Sequence, residues 1–158
     1  MVPDTTGSTS AIEAPVLAAA TPPAELTIVV PTFNERDNVP LLVGRLVSVL
    51  EGIAWEAVFV DDDSPDGTAD TVRALARRHA NVRCIQRLGR RGLASACVEG
   101  ILSSAAPHVA VMAGDLPHDE RLLPRMLQTL RSEGLDIVIG SEASGRRRGA
   151  APSVDPRL

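Results

Sequence analysis

Ala57-Val58-Phe59-Val60-Asp61-Asp62-Asp63-Ser64-Pro65-Asp66-Gly67-Thr68 is a short apolar run that breaks on three carboxylates and then on Ser, Pro and Gly. Such a run reads as a strand, Ala57–Val60, buried on both faces, with polar chemistry beginning where the chain leaves the sheet. Upstream, Leu26-Thr27-Ile28-Val29-Val30 has the same texture, rich in β-branched residues and ended by Pro31. Between the two lies a helical pattern. Asp37 or Asn38 can cap it, Pro40 falls in its first turn, and Leu41, Leu42, Leu46, Val49 and Leu50 share one face.

Downstream the alternation continues. Ser64-Pro65 opens a helix to about His79 with Val72, Leu75 and Ala76 inward, and Val82–Ile85 is a third strand. Gly92–Ala105, with Gly100 inside it, is a third helix, and Val109–Met112 a fourth strand. Glu120–Glu133 carries Leu122, Leu123, Met126, Leu127 and Leu130 in helical register, with Pro124 moving its start toward Leu123. Leu135–Ile139 reads as a fifth strand. Continuous apolar strands alternating with amphipathic helices predict an α/β fold with a mainly parallel, doubly covered sheet. The pattern occupies residues 25–142. Residues 1–24, made of Ala, Thr, Ser and Pro without period, read as a disordered tail, and 143–158 as an irregular one.

The chain has 158 residues, one domain by length, and is 44% hydrophobic but only 2% aromatic, so its core must be Val, Leu, Ile and Ala. All 16 Lys+Arg residues are Arg. A chain without Lys is neither a P-loop NTPase nor a Schiff-base enzyme. A net charge of −4 with few aromatics argues against nucleic acid as partner. Cys84 and Cys97 are too few for a zinc site or a disulfide framework, and read as buried, inert thiols in a reducing compartment. No run approaches the roughly 18 apolar residues of a membrane span. The N-terminal stretch carries Asp4 and Glu13 and no basic opening, so no secretory leader is expected.

In an open α/β sheet, ligands bind beyond the carboxyl ends of the strands. Polar residues cluster there: Thr32 to Glu35, Asp61 to Thr68, Arg87 with Arg90 and Arg91, and Asp115 with His118 and Asp119. Helix-start chemistry accounts for Ser64, Pro65 and Asp66. It does not account for Asp61 and Asp62, whose crowded charge requires a ligand donor or a cation. Asp115 reads either as a ligand for Mg²⁺ or Mn²⁺ or as a helix cap. His118 is a base, a metal ligand or a surface residue. Arg87–Arg91 either neutralises a diphosphate or forms a solvated loop, and Arg146–Arg148 either is a soluble tail or touches anionic lipid.

Thr27-Ile28-Val29-Val30-Pro31-Thr32-Phe33-Asn34-Glu35 resembles the opening of family 2 glycosyltransferases of the GT-A fold. Phe59 to Thr68 looks like the version in dolichol-phosphate or polyprenol-phosphate mannosyltransferases, and Arg91 to Ala96 and Met112 to His118 follow in the same order. The resemblance covers about residues 26–142. It implies inverting transfer of mannose or glucose from GDP-mannose or UDP-glucose to a polyprenyl or dolichyl phosphate, on the cytoplasmic face of a membrane. Pro31, Phe33, Glu35, Val60, Asp61 and Asp62 would line the nucleotide pocket. Gly114 and Asp115 would hold the donor, and Asp115, matching the last Asp of the family's DxD motif, would be the catalytic metal ligand. An acceptor phosphate is already ionised, so the chief demand is neutralising the departing diphosphate.

Departures from the pattern motivate a second reading, an impaired or shortened nucleotide-binding or partner-binding remnant. Ala113 stands where the motif has its first Asp, Glu142 where an Arg usually follows Gly-Ser, and the pattern stops near residue 142. Asp119 would then be the nearest second carboxylate for a metal. A phospho-receiver domain shares the alternation but needs the missing Lys.

Overall fold

The computed structural model describes residues 23–115 and 119–140, and the backbone of residues 154 and 155. His118, Glu142, Arg146–Arg148 and nearly all of the two tails lie outside the described residues. Four parallel strands form one sheet: β1 (Leu26–Thr32), β2 (Trp55–Asp61), β3 (Val82–Gln86) and β4 (His108–Val111), in the order β3-β2-β1-β4. The helices are α1 (Asn38–Val49), α2 (Thr68–Ala76), α3 (Leu93–Leu102) and α4 (Leu123–Glu133), the last preceded by a 3₁₀ turn at Glu120–Leu122. Pro124 sits at the start of α4, where its missing N–H leaves no helical bond unmade.

Alternation along the strands sorts the core into two layers. Leu26, Ile28, Val30, Ala57 and Phe59 face α1, α2 and α4, while Val29, Val58 and Val60 face α3. α3 packs directly on the sheet because Gly100 has no side chain. A Cβ there would overlap Val29 Cγ1 and lie 3.0 Å from Val60 Cγ2. β1 runs through Pro31 to Thr32 rather than ending at the proline. Val29 accepts from the Met112 N–H through its carbonyl, and Pro31, two residues on, faces the same side after β4 has departed, so no ladder bond is lost.

Three expectations are corrected. Leu41 is exposed, and the inner face of α1 is Val39, Leu42, Val43 and Leu46. α2 begins at Thr68, not Ser64, after Gly67 in a left-handed conformation (φ 88°). Residues 135–139 do not extend the parallel sheet. Ile139–Gly140 (β5) pairs antiparallel with Val154–Asp155 (β6). The apolar residues there line a cavity of about 570 Å³ against α4 and the β4 edge, with Ile137 and Ile139 partly exposed.

The strand order fixes where a ligand can enter. Connections run one way from β1 to β2 to β3 and then return to the other side of β1 as β4. The switch point therefore lies between β1 and β4, beyond their carboxyl ends.

Candidate functional site

Two loops from β1 and β2 build the floor of this crevice and are laced together by side chains. The backbone N–H groups of Asn34, Glu35 and Arg36 donate to Ser64 Oγ (2.9 Å), Thr68 Oγ1 (3.0 Å) and Asp66 Oδ2 (3.2 Å). Asp66 also accepts from the Thr68 N–H and hydroxyl, an Asx turn ahead of α2. Burial pushes the Asp66 carboxyl up, but the Thr68 and Arg36 hydrogen bonds outweigh it and hold the group below the usual carboxylate range. Ser64 thus serves the neighbouring loops and not a helix cap, whereas Asp66 serves both the β1 loop, through the Arg36 N–H, and the start of α2, through Thr68. Asn34 (φ 60°) and Asp63 (φ 57°) take left-handed turns, a conformation that Asn and Asp tolerate better than most residues.

The acidic run is compensated within the chain. Asp61, fully buried, accepts from the Ser64 N–H (3.0 Å) and hydroxyl (2.5 Å). Asp62 accepts from Arg87 Nη1 (2.8 Å) and the Gly92 N–H (2.7 Å). Asp63 accepts from Gln86 Nε2 (3.1 Å) and the Gly89 N–H (3.3 Å). The donors and the cation that the crowded charge demands are therefore these groups, without a bound ligand. This corrects the argument for Asp61 and Asp62, and it leaves Asp61, fully buried with both oxygens engaged by Ser64, as a support of the loop and not a lining residue.

The arginines divide. Arg87 is 2% exposed and committed to Asp62, so it is not a free diphosphate anchor. Arg90 pairs with Glu99 at 3.0 Å. Arg91 lies with its guanidinium carbon 4.3 Å from the centroid of Phe33, and makes no ion pair among the described residues. Phe33 itself is 41% exposed, in the loop that follows β1. Glu35 is half-buried and accepts from Asn38 Nδ2, which anchors the start of α1, where the Asp37 side chain makes no cap bond. Pro31 is half-buried. Val60, by contrast, is fully buried under α3, so its side chain does not line the crevice and only its backbone is available there.

The β4 loop closes the other wall. Gly114 is buried where a Cβ would meet Thr32 Cγ2 at 3.2 Å and Glu35 Cγ at 3.5 Å, so this glycine lets the β4 loop approach the β1 loop. Asp115 follows it and is exposed. Asp119, not Asp115, caps the 3₁₀ turn, accepting from the Arg121 N–H. The Arg121 guanidinium, bound at 2.7 Å, holds the Asp119 carboxyl below its usual range. Asp119 is thereby occupied, and Ala113 offers no ligand atom beyond its backbone. Among the described residues no group of three potential metal ligands comes together. Among the described residues, Asp115 is the carboxylate of this loop without a hydrogen-bond or ion-pair partner. That donor set fits a hard cation only if a ligand's phosphates complete the shell, the usual arrangement for Mg²⁺. Cys84 and Cys97 are half-buried, and burial pushes the Cys84 thiol up.

The sequence patterns missed the loop-joining roles of the Ser64 and Thr68 hydroxyls and the role of Arg87. The Asp66-x-Thr68 and Asp61-x-x-Ser64 spacings were the available signals.

The profile of Glycosyl transferase family 2 matches residues 27–147. The chain belongs to that family. Among its curated relatives are dolichol-phosphate mannosyltransferases of Pyrococcus furiosus (35% identical, 74% of this chain and 33% of the relative) and Saccharomyces cerevisiae (32%, 72% and 43%). A third, from Mycosarcoma maydis, is 34% identical over 82% of this chain and 44% of the relative. The family 2 chain described here thus spans a third to less than half of those proteins. Among solved structures, it superposes on a mannosyltransferase from Pyrobaculum calidifontis in complex with GDP-Man and Mn²⁺ (TM-score 0.56, 27% identity, 72% of this chain and 34% of that one). A mannosyl-3-phosphoglycerate synthase from Rubrobacter xylanophilus shares the fold (TM-score 0.57, 20% identity, 71% and 38%).

Proposed function

We propose that this chain is the nucleotide-sugar-binding part of a glycosyltransferase that passes mannose, or alternatively glucose, to a polyprenyl or dolichyl phosphate with inversion. The observation that carries the reading is the crevice at the β1/β4 switch point, with Phe33, Glu35, Asp62, Gly114 and Asp115 around it in a family 2 chain. The names of the curated relatives support the acceptor, and the GDP-Man complex of the solved relative supports the donor.

Each residue has a task on this reading. The Phe33 face stacks on the base, and the carboxylates of Asp62 and Glu35 accept hydrogen bonds from donors of the nucleoside. Arg91, the guanidinium nearest that ring, is placed to meet negative charge on the donor. Asp115 is the residue that would hold Mg²⁺ or Mn²⁺ together with the donor's phosphates. A bound divalent cation supplies Lewis-acid neutralisation of the departing diphosphate. The acceptor phosphate needs no base from the protein because it is ionised at neutral pH. A lipid acceptor places the reaction at a membrane surface, and we assign it to the cytoplasmic face. No helix among the described residues is long and apolar enough to cross a membrane.

The test is incubation with radiolabelled GDP-mannose or UDP-glucose, Mn²⁺ and polyprenyl phosphate. The reading expects label in an organic-extractable lipid phosphate sugar. Calorimetry with GDP and UDP runs beside it. Tight binding without transfer under all conditions favours the remnant reading raised by Ala113, and neither binding nor transfer refutes both.

A further inference from the structure

We propose that Arg87 is a positioning residue for the nucleotide site, acting through the Asp62 carboxylate; this rests on the nucleotide-sugar reading above. At 2% exposure Arg87 cannot itself meet a ligand. Its guanidinium nevertheless joins three parts of the crevice wall. Nη1 donates to Asp62 Oδ1 (2.8 Å) and to the Gly92 carbonyl (3.1 Å), and Nη2 donates to Ser95 Oγ (2.6 Å). Its backbone N–H donates to the Asp61 carbonyl (2.8 Å). Nε lies 3.3 Å from Glu99 Oε2, close enough for charge attraction, yet makes no hydrogen bond. One side chain therefore fastens the end of β2 to the loop after β3 and to the first turn of α3.

The consequence falls on Asp62. Its backbone is fixed to β1 through its N–H and the Thr32 carbonyl (3.0 Å), and its two oxygens each receive one protein donor, Arg87 and the Gly92 N–H. A carboxylate has about four lone-pair sites, so two remain for ligand donors, in directions that Arg87 sets. A buried charge pair of this kind loses its compensation when one partner is removed. A lysine would keep the charge but not the fork that reaches Asp62, Gly92 and Ser95 together.

Calorimetric titration of GDP, and separately UDP, into the wild type, Arg87→Met, Arg87→Lys, Asp62→Asn and the double variant Arg87→Met/Asp62→Asn tests this, with thermal melts run alongside. Arg87→Met is expected to weaken binding about tenfold or more, the scale of one charge-assisted hydrogen bond, and Arg87→Lys to recover part of it. The double variant should bind no more weakly than Asp62→Asn alone, while melting higher than Arg87→Met because no unpaired charge stays buried. A purely structural role would lower the melting point without this coupling. Binding of Arg87→Met within about twofold of wild type, or losses that multiply in the double variant, overturns the assignment. If Arg87→Met does not fold, the double variant against Asp62→Asn decides alone: equal affinity supports, weaker affinity overturns. A wild type that binds neither nucleotide refutes the nucleotide reading and this assignment with it, whereas the other refuting outcomes strike only Arg87.

Discussion

Replacing Gly100 by Ala sets two effects of opposite sign against each other in the middle of α3. Helix propensity favours Ala over Gly by about 1 kcal/mol at an interior position. Packing opposes it. The added methyl would overlap Val29 Cγ1, lie 3.2 Å from Val29 Cγ2, and approach Val60 Cγ2 to 3.0 Å. Both Val29 methyls face the position, so a rotamer change exchanges one bad contact for another, and β-branched side chains are stiff at χ1. The backbone cannot yield easily either, since β1 and β2 are the two central strands. Overpacking a close-packed core costs about 1–3 kcal/mol, and this geometry belongs in the upper half of that range. The net loss is then about 1–2 kcal/mol, a fall in Tm of roughly 4–8 °C for a domain of this size. Thermal and urea unfolding followed by far-UV circular dichroism measures it. A second variant isolates the cause: in a Val29→Ala background the overlap with Val29 is gone and only the 3.0 Å approach to Val60 Cγ2 remains, so Gly100→Ala should cost clearly less than it does in the wild type. A Tm that is unchanged or raised by Gly100→Ala alone, or losses that simply add in the double variant, would refute the packing argument.

Ser64→Ala removes both the hydroxyl that donates to Asp61 and the acceptor of the Asn34 N–H, leaving a buried carboxylate short of a donor. A destabilisation of about 1–3 kcal/mol in urea unfolding is expected, with an unchanged m-value. For Glu56, burial raises the carboxyl, but hydrogen bonds from Arg83 and Thr27 and the Arg83 charge hold it below its ordinary value. A folded-state pKa lowered in this way contributes stability that is complete above the unfolded value of about 4.3 and is lost as pH falls through the folded one. The Tm gap between wild type and Glu56→Gln should therefore shrink below about pH 4.3; a gap constant with pH contradicts the ion pair's role. Ala113→Asp adds a carboxylate beside Asp115, and should tighten Mn²⁺-dependent GDP binding about tenfold in calorimetry. No metal-dependent gain there would count against residues 113–115 as the cation site.

The central strands β1 and β2 are legible because each is buried on both faces, which writes a continuous apolar run such as Ala57–Val60 into the chain, and the partly buried edge strands β3 and β4 keep a shorter version of the same signal. The same signal misled at Leu135–Ile139. An apolar run does not report which edge it pairs with, and these residues line a cavity beside β4 without joining it. The start of α2 was misplaced for a different reason. Ser64 and Asp66 suit a helix N-terminus by local rules, but Asn34 and Arg36, 30 residues away in sequence, take their side-chain oxygens first. The Asp61-Asp62 pair is legible as a charge problem, but not which groups answer it. Arg87, separated from Asp62 by 25 positions, solves it, and local spacing gives no sign of that. The difference matters for function. Carboxylates neutralised only by ligand would repel one another in the empty site and have to reorganise on binding, whereas those held by Ser64, Gly92 and Arg87 already stand in place. The ordering entropy has then been met during folding, and a nucleotide entering the crevice has less of it to overcome.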